Sequence, residues 1–133
     1  MVSGYGPEHQ CVSEGVSLGI SRQLICAVVD TFYARIAEDE QLGPIFHKRL
    51  AGHWQPHLEK MYDFWTTVMF GYQLYSGNPV AAHGAIAEIE AGHYERWLNL
   101  FREVLDQVCP HSQQADAFYR RAQRMAAVLG RGA

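Results

Sequence analysis

The strongest constraint on this chain is a period. Apolar residues recur every three or four positions in one segment after another, and Gly, Pro or a capping residue separates each segment from the next. Ile25, Val29, Phe32, Tyr33 and Ile36 make the first such stripe, with Ser21 placed to cap its helix through a side-chain oxygen. Gly43-Pro44 breaks it, and Ile45-Phe46-His47 reads as a short turn. A second helix is expected near 54–72, with Pro56 in its first turn and a stripe of His57, Met61, Phe64, Trp65 and Val68. Tyr75-Ser76-Gly77-Asn78-Pro79 reads as a loop, and Asn78 can cap a short helix that runs through His83. Gly92 separates that helix from a longer one bearing Tyr94, Trp97, Leu98, Phe101, Leu105 and Val108. Pro110 ends it, Ser112 caps the last helix, and Phe118, Ala122, Met125 and Leu129 stripe that helix. No segment alternates apolar with polar residues over a strand's length, so the fold class is all-α.

Chain length and composition narrow what such a fold does. With 133 residues, 48% hydrophobic and 19% charged, the chain suits one globular domain with a real core. Residues 1–20 are weakly patterned and are expected to form an N-terminal extension, partly helical or disordered, ahead of a single domain over 21–130. Eleven Lys and Arg against fourteen Asp and Glu leave a net charge of −3, which argues against a nucleic-acid partner. The longest wholly apolar run, Leu24–Val29, is far short of the roughly twenty residues a membrane span needs. The start of the chain lacks the basic and apolar regions of a signal peptide, so a cytoplasmic protein is expected. Three cysteines without a C-x-x-C pair fit a reducing compartment, and no C-x-x-C-H run is present.

Seven histidines raise the question of a ligand. His53 and His57 stand one helical turn apart, but neither a cysteine nor an ordered acidic cluster nearby completes a zinc site. His57 instead opens an otherwise apolar stripe, as Tyr33 closes its own and Trp97 interrupts another. Each is a polar tip on an apolar body, and each also reads as an ordinary core residue with one hydrogen-bond partner. Taken together they can place an imidazole, a phenol O–H and an indole N–H around one cavity. His83 lies among small residues, Pro79-Val80-Ala81-Ala82-His83-Gly84-Ala85, that would let something large and flat approach the backbone. On spacing alone it is as well read as an exposed histidine on a short helix.

The order of segments resembles the group III truncated haemoglobins. It is carried by Phe32-Tyr33, Leu42-Gly43-Pro44-Ile45-Phe46, Trp54-Gln55-Pro56-His57 and Phe64-Trp65. It continues through Tyr75-Ser76-Gly77-Asn78-Pro79, His83 and the run from His93 to Phe101. The resemblance spans about Leu24 to Leu129, and the missing paired glycines of groups I and II point the same way. It implies a truncated globin fold, a two-over-two helical sandwich around haem b, over 21–130. It implies His83 as the proximal iron ligand and Tyr33, His57 and Trp97 as the distal, catalytic set. Phe46, Met61, Phe64, Trp65, Tyr94, Phe101 and Met125 would line the cofactor pocket with Trp97, and Lys60 would pair with a propionate. Gly84 departs from the bulkier residue expected after the proximal histidine.

The implied function is binding of O2, NO or CO at iron, with O2/NO redox chemistry or detoxification. Polar donors on the distal side stabilise a ligand that gains negative charge at iron. His57 can donate to that ligand, swing out as a gate, or bind iron itself. Activity like that of an NO dioxygenase, or weak peroxidase activity, would need an external reductase, and peroxide or cyanide are further ligands. The nearest carboxylate after His83 is Glu88, five residues on, so no clear partner orients a peroxidase-type histidine. Reversible O2 binding or ligand sensing is the alternative, and a haem-free helical interaction domain is the third. A monomer or weak dimer is expected.

Overall fold

In the computed structural model, residues 14–71 and 91–132 are described, and among them there is no strand. The segment that carries His83 and the loop before it lies outside the described residues. Six helices follow in order: α1 Glu14–Ser17, α2 Arg22–Glu38, α3 Leu42–Leu50, α4 Trp54–Phe70, α5 Ala91–Val108 and α6 Ser112–Gly132. Ser21 caps α2 as its sequence position suggests, its hydroxyl accepting the Leu24 N–H at 3.0 Å. The expected stripe is the buried face of that helix: Ile25, Val28, Val29, Phe32, Tyr33 and Ile36. None of the described helices is long and apolar enough to cross a membrane.

Packing produces two layers of two helices. Helix α2 lies against α4, α5 lies against α6, and α2 also crosses onto α5, which joins the layers. The largest fully buried side chains, Phe101, Phe118, Ile25, Ile36 and Leu42, come from both layers and from α3. One core therefore runs through the described part of the chain. At about 25 cal/mol per Å2 of apolar surface removed from water, each such side chain contributes roughly 1.5–3 kcal/mol.

Three boundaries differ from the sequence expectation, each for a local reason. Residues Leu42–Leu50 are helical although Gly43 and Pro44 fall inside them. Pro44 sits in the first turn, where its missing N–H costs nothing. Asp39 supplies the start, its Oδ2 accepting the N–H groups of Gln41 at 3.0 Å and Leu42 at 2.9 Å. Gly43 is required by proximity, because a Cβ there would stand 2.9 Å from the carbonyl oxygen of Ala37. Helix α4 ends at Phe70 rather than residue 72, since Gly71 takes the left-handed conformation (φ 79°) and its N–H returns to Thr67 O. Gly92 lies within α5 instead of before it, because a single glycine weakens a helix by only about 1 kcal/mol against alanine.

Candidate functional site

Tyr33 is the centre from which the site is best built. It lies on the buried face of α2 and is 6% exposed. His57, in the first turn of α4, meets it edge-on with ring centroids 5.0 Å apart and an interplanar angle of 81°. Phe46 of α3 meets it from another side at 6.3 Å. Three helices thus deliver three rings to one point. The α3 helix that the sequence suggested was a turn is what carries Phe46 inward.

Trp97 joins the group through Phe32. That ring touches Tyr33 at 5.3 Å, Trp97 at 5.6 Å and Phe101 at 4.7 Å. On α5, Tyr94, Trp97 and Phe101 follow the i, i+3, i+7 spacing of one helix face, and all three are buried. Phe101 stacks on Trp97 at 5.8 Å (15°) and on Trp65 of α4 at 5.5 Å (27°). Trp65 reaches Phe118 of α6 at 5.4 Å, so the aromatic array spans both layers. Such pairs add about 0.5–1.5 kcal/mol each beyond area burial.

The remaining expected residues fall in two places. Phe64, Trp65 and Met125 line a cavity of about 260 Å3 between α4 and α6, together with Val68, Arg121 and Arg124. Met61 is buried in the core, one turn beyond His57 on α4. Lys60, in the same turn, is exposed. His83 lies outside the described residues. Phe32, Phe118, Arg121 and Arg124 are the residues that sequence reasoning did not assign to a site. Phe32 was visible as one member of a stripe and in the motif Phe32-Tyr33, without a role of its own, and nothing in the sequence set the two arginines apart from other surface charge.

The polar groups in this wall are few and specific. The Nε2 atom of His57 is buried, and the ring leans on Tyr33. Burial raises the Tyr94 phenol above its usual range, which keeps it a neutral O–H. Behind the wall, Asp39 fixes α3 to α5: Arg96 Nε donates to its Oδ1 at 2.9 Å, Arg96 Nη2 donates to the same oxygen, and the carboxylate is 3% exposed. Burial alone would push the Asp39 carboxyl up, but hydrogen bonds from Arg96, Leu42 and Gln41 and the guanidinium charge hold it below its ordinary value. Arg96 precedes Trp97 and Asp39 starts the helix of Phe46, so this ion pair sets the separation of two sides of the wall.

This combination fits haem. A porphyrin needs apolar aromatic faces and few polar atoms, and Phe46, Met61, Trp65 and Phe101, buried in one core with Phe64 and Met125 packed against it, are residue types that suit it. Tyr33, His57 and Trp97 add a phenol, an imidazole and an indole to the same wall.

Two layers of two helices around an aromatic wall define a globin of the truncated type. The family model of bacterial-like globins matches residues 17–130, and the chain belongs to that family. Globins are haem-binding proteins whose iron is held by a proximal histidine. The chain is 29% identical over 110 residues to the group 3 truncated hemoglobin ctb of Campylobacter jejuni, covering 80% of this chain and 86% of that one. It is likewise similar to the crystal structure of the group III truncated hemoglobin from Campylobacter jejuni, with a TM-score of 0.79 and 28% identity. That match covers 84% of this chain and 90% of the other. The resemblance read from the sequence, and the all-helical truncated globin fold with it, are borne out.

Proposed function

We propose that this globin holds haem b non-covalently through His83 and handles O2 and NO on the side walled by Tyr33, His57 and Trp97. The observation that carries the reading is the edge-on approach of Tyr33 and His57 at 5.0 Å inside an otherwise aromatic wall. Haem, when bound, supplies an iron site for a diatomic ligand. The side chains decide the rest. Tyr33 O–H and Trp97 N–H donate to an electron-rich ligand atom, and in a water-poor pocket such donors gain strength. Phe32, Phe46 and Phe101 exclude water from them. His57 holds its imidazole at the same wall, able to donate, to open the pocket or to ligate iron.

Several donors retain O2 rather than release it, which favours NO oxidation or detoxification over delivery. Electrons for turnover come from an external reductase. The protein acts in the cytoplasm as a monomer or weak dimer, with 21–130 as its globin domain and 1–20 as an extension. Absorption spectra of the ferric and ferrous protein beside His83→Ala test the reading. A Soret band that the substitution abolishes or strongly alters is the expected result. A wild type that stays colourless with haem supplied would replace it with a haem-free helical interaction domain.

A further inference from the structure

A second concave site lies beside the cavity between α4 and α6, with which it shares Arg121 and Arg124. It is a groove of about 600 Å3 between the end of α1 and α6, lined by Ser17, Leu18, Gln113, Asp116 and three arginines, Arg120, Arg121 and Arg124. Its volume falls in the range of about 300–1,000 Å3 typical of small-molecule sites. The geometry points to a binding site for a small oxyanion carrying two or more negative charges, a phosphate ester or a polycarboxylate.

Charge makes the first argument. The whole chain carries −3, yet this groove sets three guanidiniums against one carboxylate. That carboxylate is already engaged, because Asp116 Oδ1 accepts from Arg102 Nη1 at 2.9 Å. Among the described lining residues the guanidiniums thus outnumber the carboxylates, against the sign of the molecule as a whole. At 100° per residue, positions 120, 121 and 124 fall within about 100° of the helix circumference, so the three project into one sector. The helix dipole does not account for them. Its effect fades within the last turn, and α6 continues to Gly132, two turns past Arg124.

Rigidity makes the second. Gln114, 5% exposed, donates from Nε2 to the carbonyl of Leu18 at 2.9 Å and fixes the α1 wall to α6. Arg121 Nη1 donates to the carbonyl of Val68 at 3.2 Å, which holds its guanidinium at the junction with α4. A groove whose walls are set before the ligand arrives loses less entropy on binding. Planar guanidiniums suit paired oxygens of phosphate or carboxylate, and the Ser17 hydroxyl and Gln113 amide lie in the same lining as further donors. Arg121 and Arg124 also line the 260 Å3 cavity, so the two sites share a wall.

Calorimetric titration of the haem-loaded protein with pyrophosphate and, separately, with citrate tests the site. It is run in a buffer without multivalent anions, at low salt and again at about 0.15 M, where screening is stronger. One saturable site per chain is expected, weakened about tenfold or more by Arg120→Ala and by Arg124→Ala. Arg49→Ala, an exposed arginine on α3, serves as the charge control and leaves binding unchanged. Tighter pyrophosphate assigns the site to phosphate esters, and tighter citrate to polycarboxylates. Absence of saturable binding, or an Arg49→Ala effect equal to that of Arg124→Ala, overturns the proposal. Circular dichroism checks that each variant keeps its helicity, and Arg124→Gln replaces Arg124→Ala if helicity falls. A Soret band that persists in Arg120→Ala separates a failure of this site from a failure of the haem reading, because Arg120 lines the groove and not the cavity of Phe64, Trp65 and Met125.

Discussion

The aromatic wall between α2, α4 and α5 and the arginine face of α6 are built by opposite means. The wall buries Phe32, Tyr33, Trp97 and Phe101 in a nearly unbroken apolar setting, so each polar tip it contains acts in a low dielectric. The α6 face places guanidiniums at the edge of water, where each contributes little and only their convergence matters. The wall is stabilised by contacts that a single truncation destroys, whereas the α6 face tolerates single losses at modest cost to the fold. Chemistry that needs a sharply tuned group belongs in the first region, and recognition of charge in the second.

The largest effect is expected at Phe101, which is 1% exposed and stacks on two tryptophans. Phe101→Ala should lower stability by about 3–5 kcal/mol, read as a fall in the urea midpoint. A loss below about 1 kcal/mol would show that the wall relaxes and would erase the contrast with α6.

Tyr33→Phe and Trp97→Leu probe the polar tips without collapsing the wall. Each should cost the ligand about 1–3 kcal/mol, or roughly tenfold to hundredfold faster O2 dissociation in stopped flow. Unchanged off-rates in both variants would reduce the wall to packing alone.

Asp39 stands between the two regimes, a charge buried behind the wall. Asp39→Asn should cost about 1–3 kcal/mol at neutral pH, because Arg96 loses its carboxylate. The native carboxyl is held below its unfolded value near 3.9, so its stabilisation is present above that pH and is lost as pH falls through the folded value. The gap between wild type and Asp39→Asn should therefore close on acidification below about pH 4. A gap that stays constant with pH would assign the effect to shape instead of charge.

The smallest effect is expected on the α6 side. Arg102→Ala removes ion pairs to Asp106 and Asp116 whose carboxylates are largely in solvent, and should shift stability by no more than about 1 kcal/mol. A larger loss would mean that the surface network is coupled to the core.

Much of this arrangement was legible in the chain. The stripes of α2, α4, α5 and α6 follow from the helical period alone, and the Ser21 cap and the placement of Pro56 in the first turn of α4 follow from local hydrogen bonding. Tyr33, His57 and Trp97 could be singled out because each is a polar residue on an apolar face. Helix α3 was hidden. Gly43 and Pro44 read as a break, and only the capping carboxylate of Asp39 and the tight approach to Ala37 show why they start a helix. The arginines of α6 were equally silent, since exposed charge on an amphipathic helix looks the same whether or not another element closes a groove over it.

The sequence by itself determined where α2, α4, α5 and α6 run and which face of each is apolar, because both depend on interactions within a few residues. It also determined the family, through the order and spacing of its aromatic motifs. Tertiary structure alone decided that Phe46 and His57 meet at Tyr33, that Phe32 bridges Tyr33 to Trp97, and that Arg121 and Arg124 stand between two cavities. These contacts join helices distant along the chain, and their partners are set by how apolar faces pack without voids, which no local period encodes.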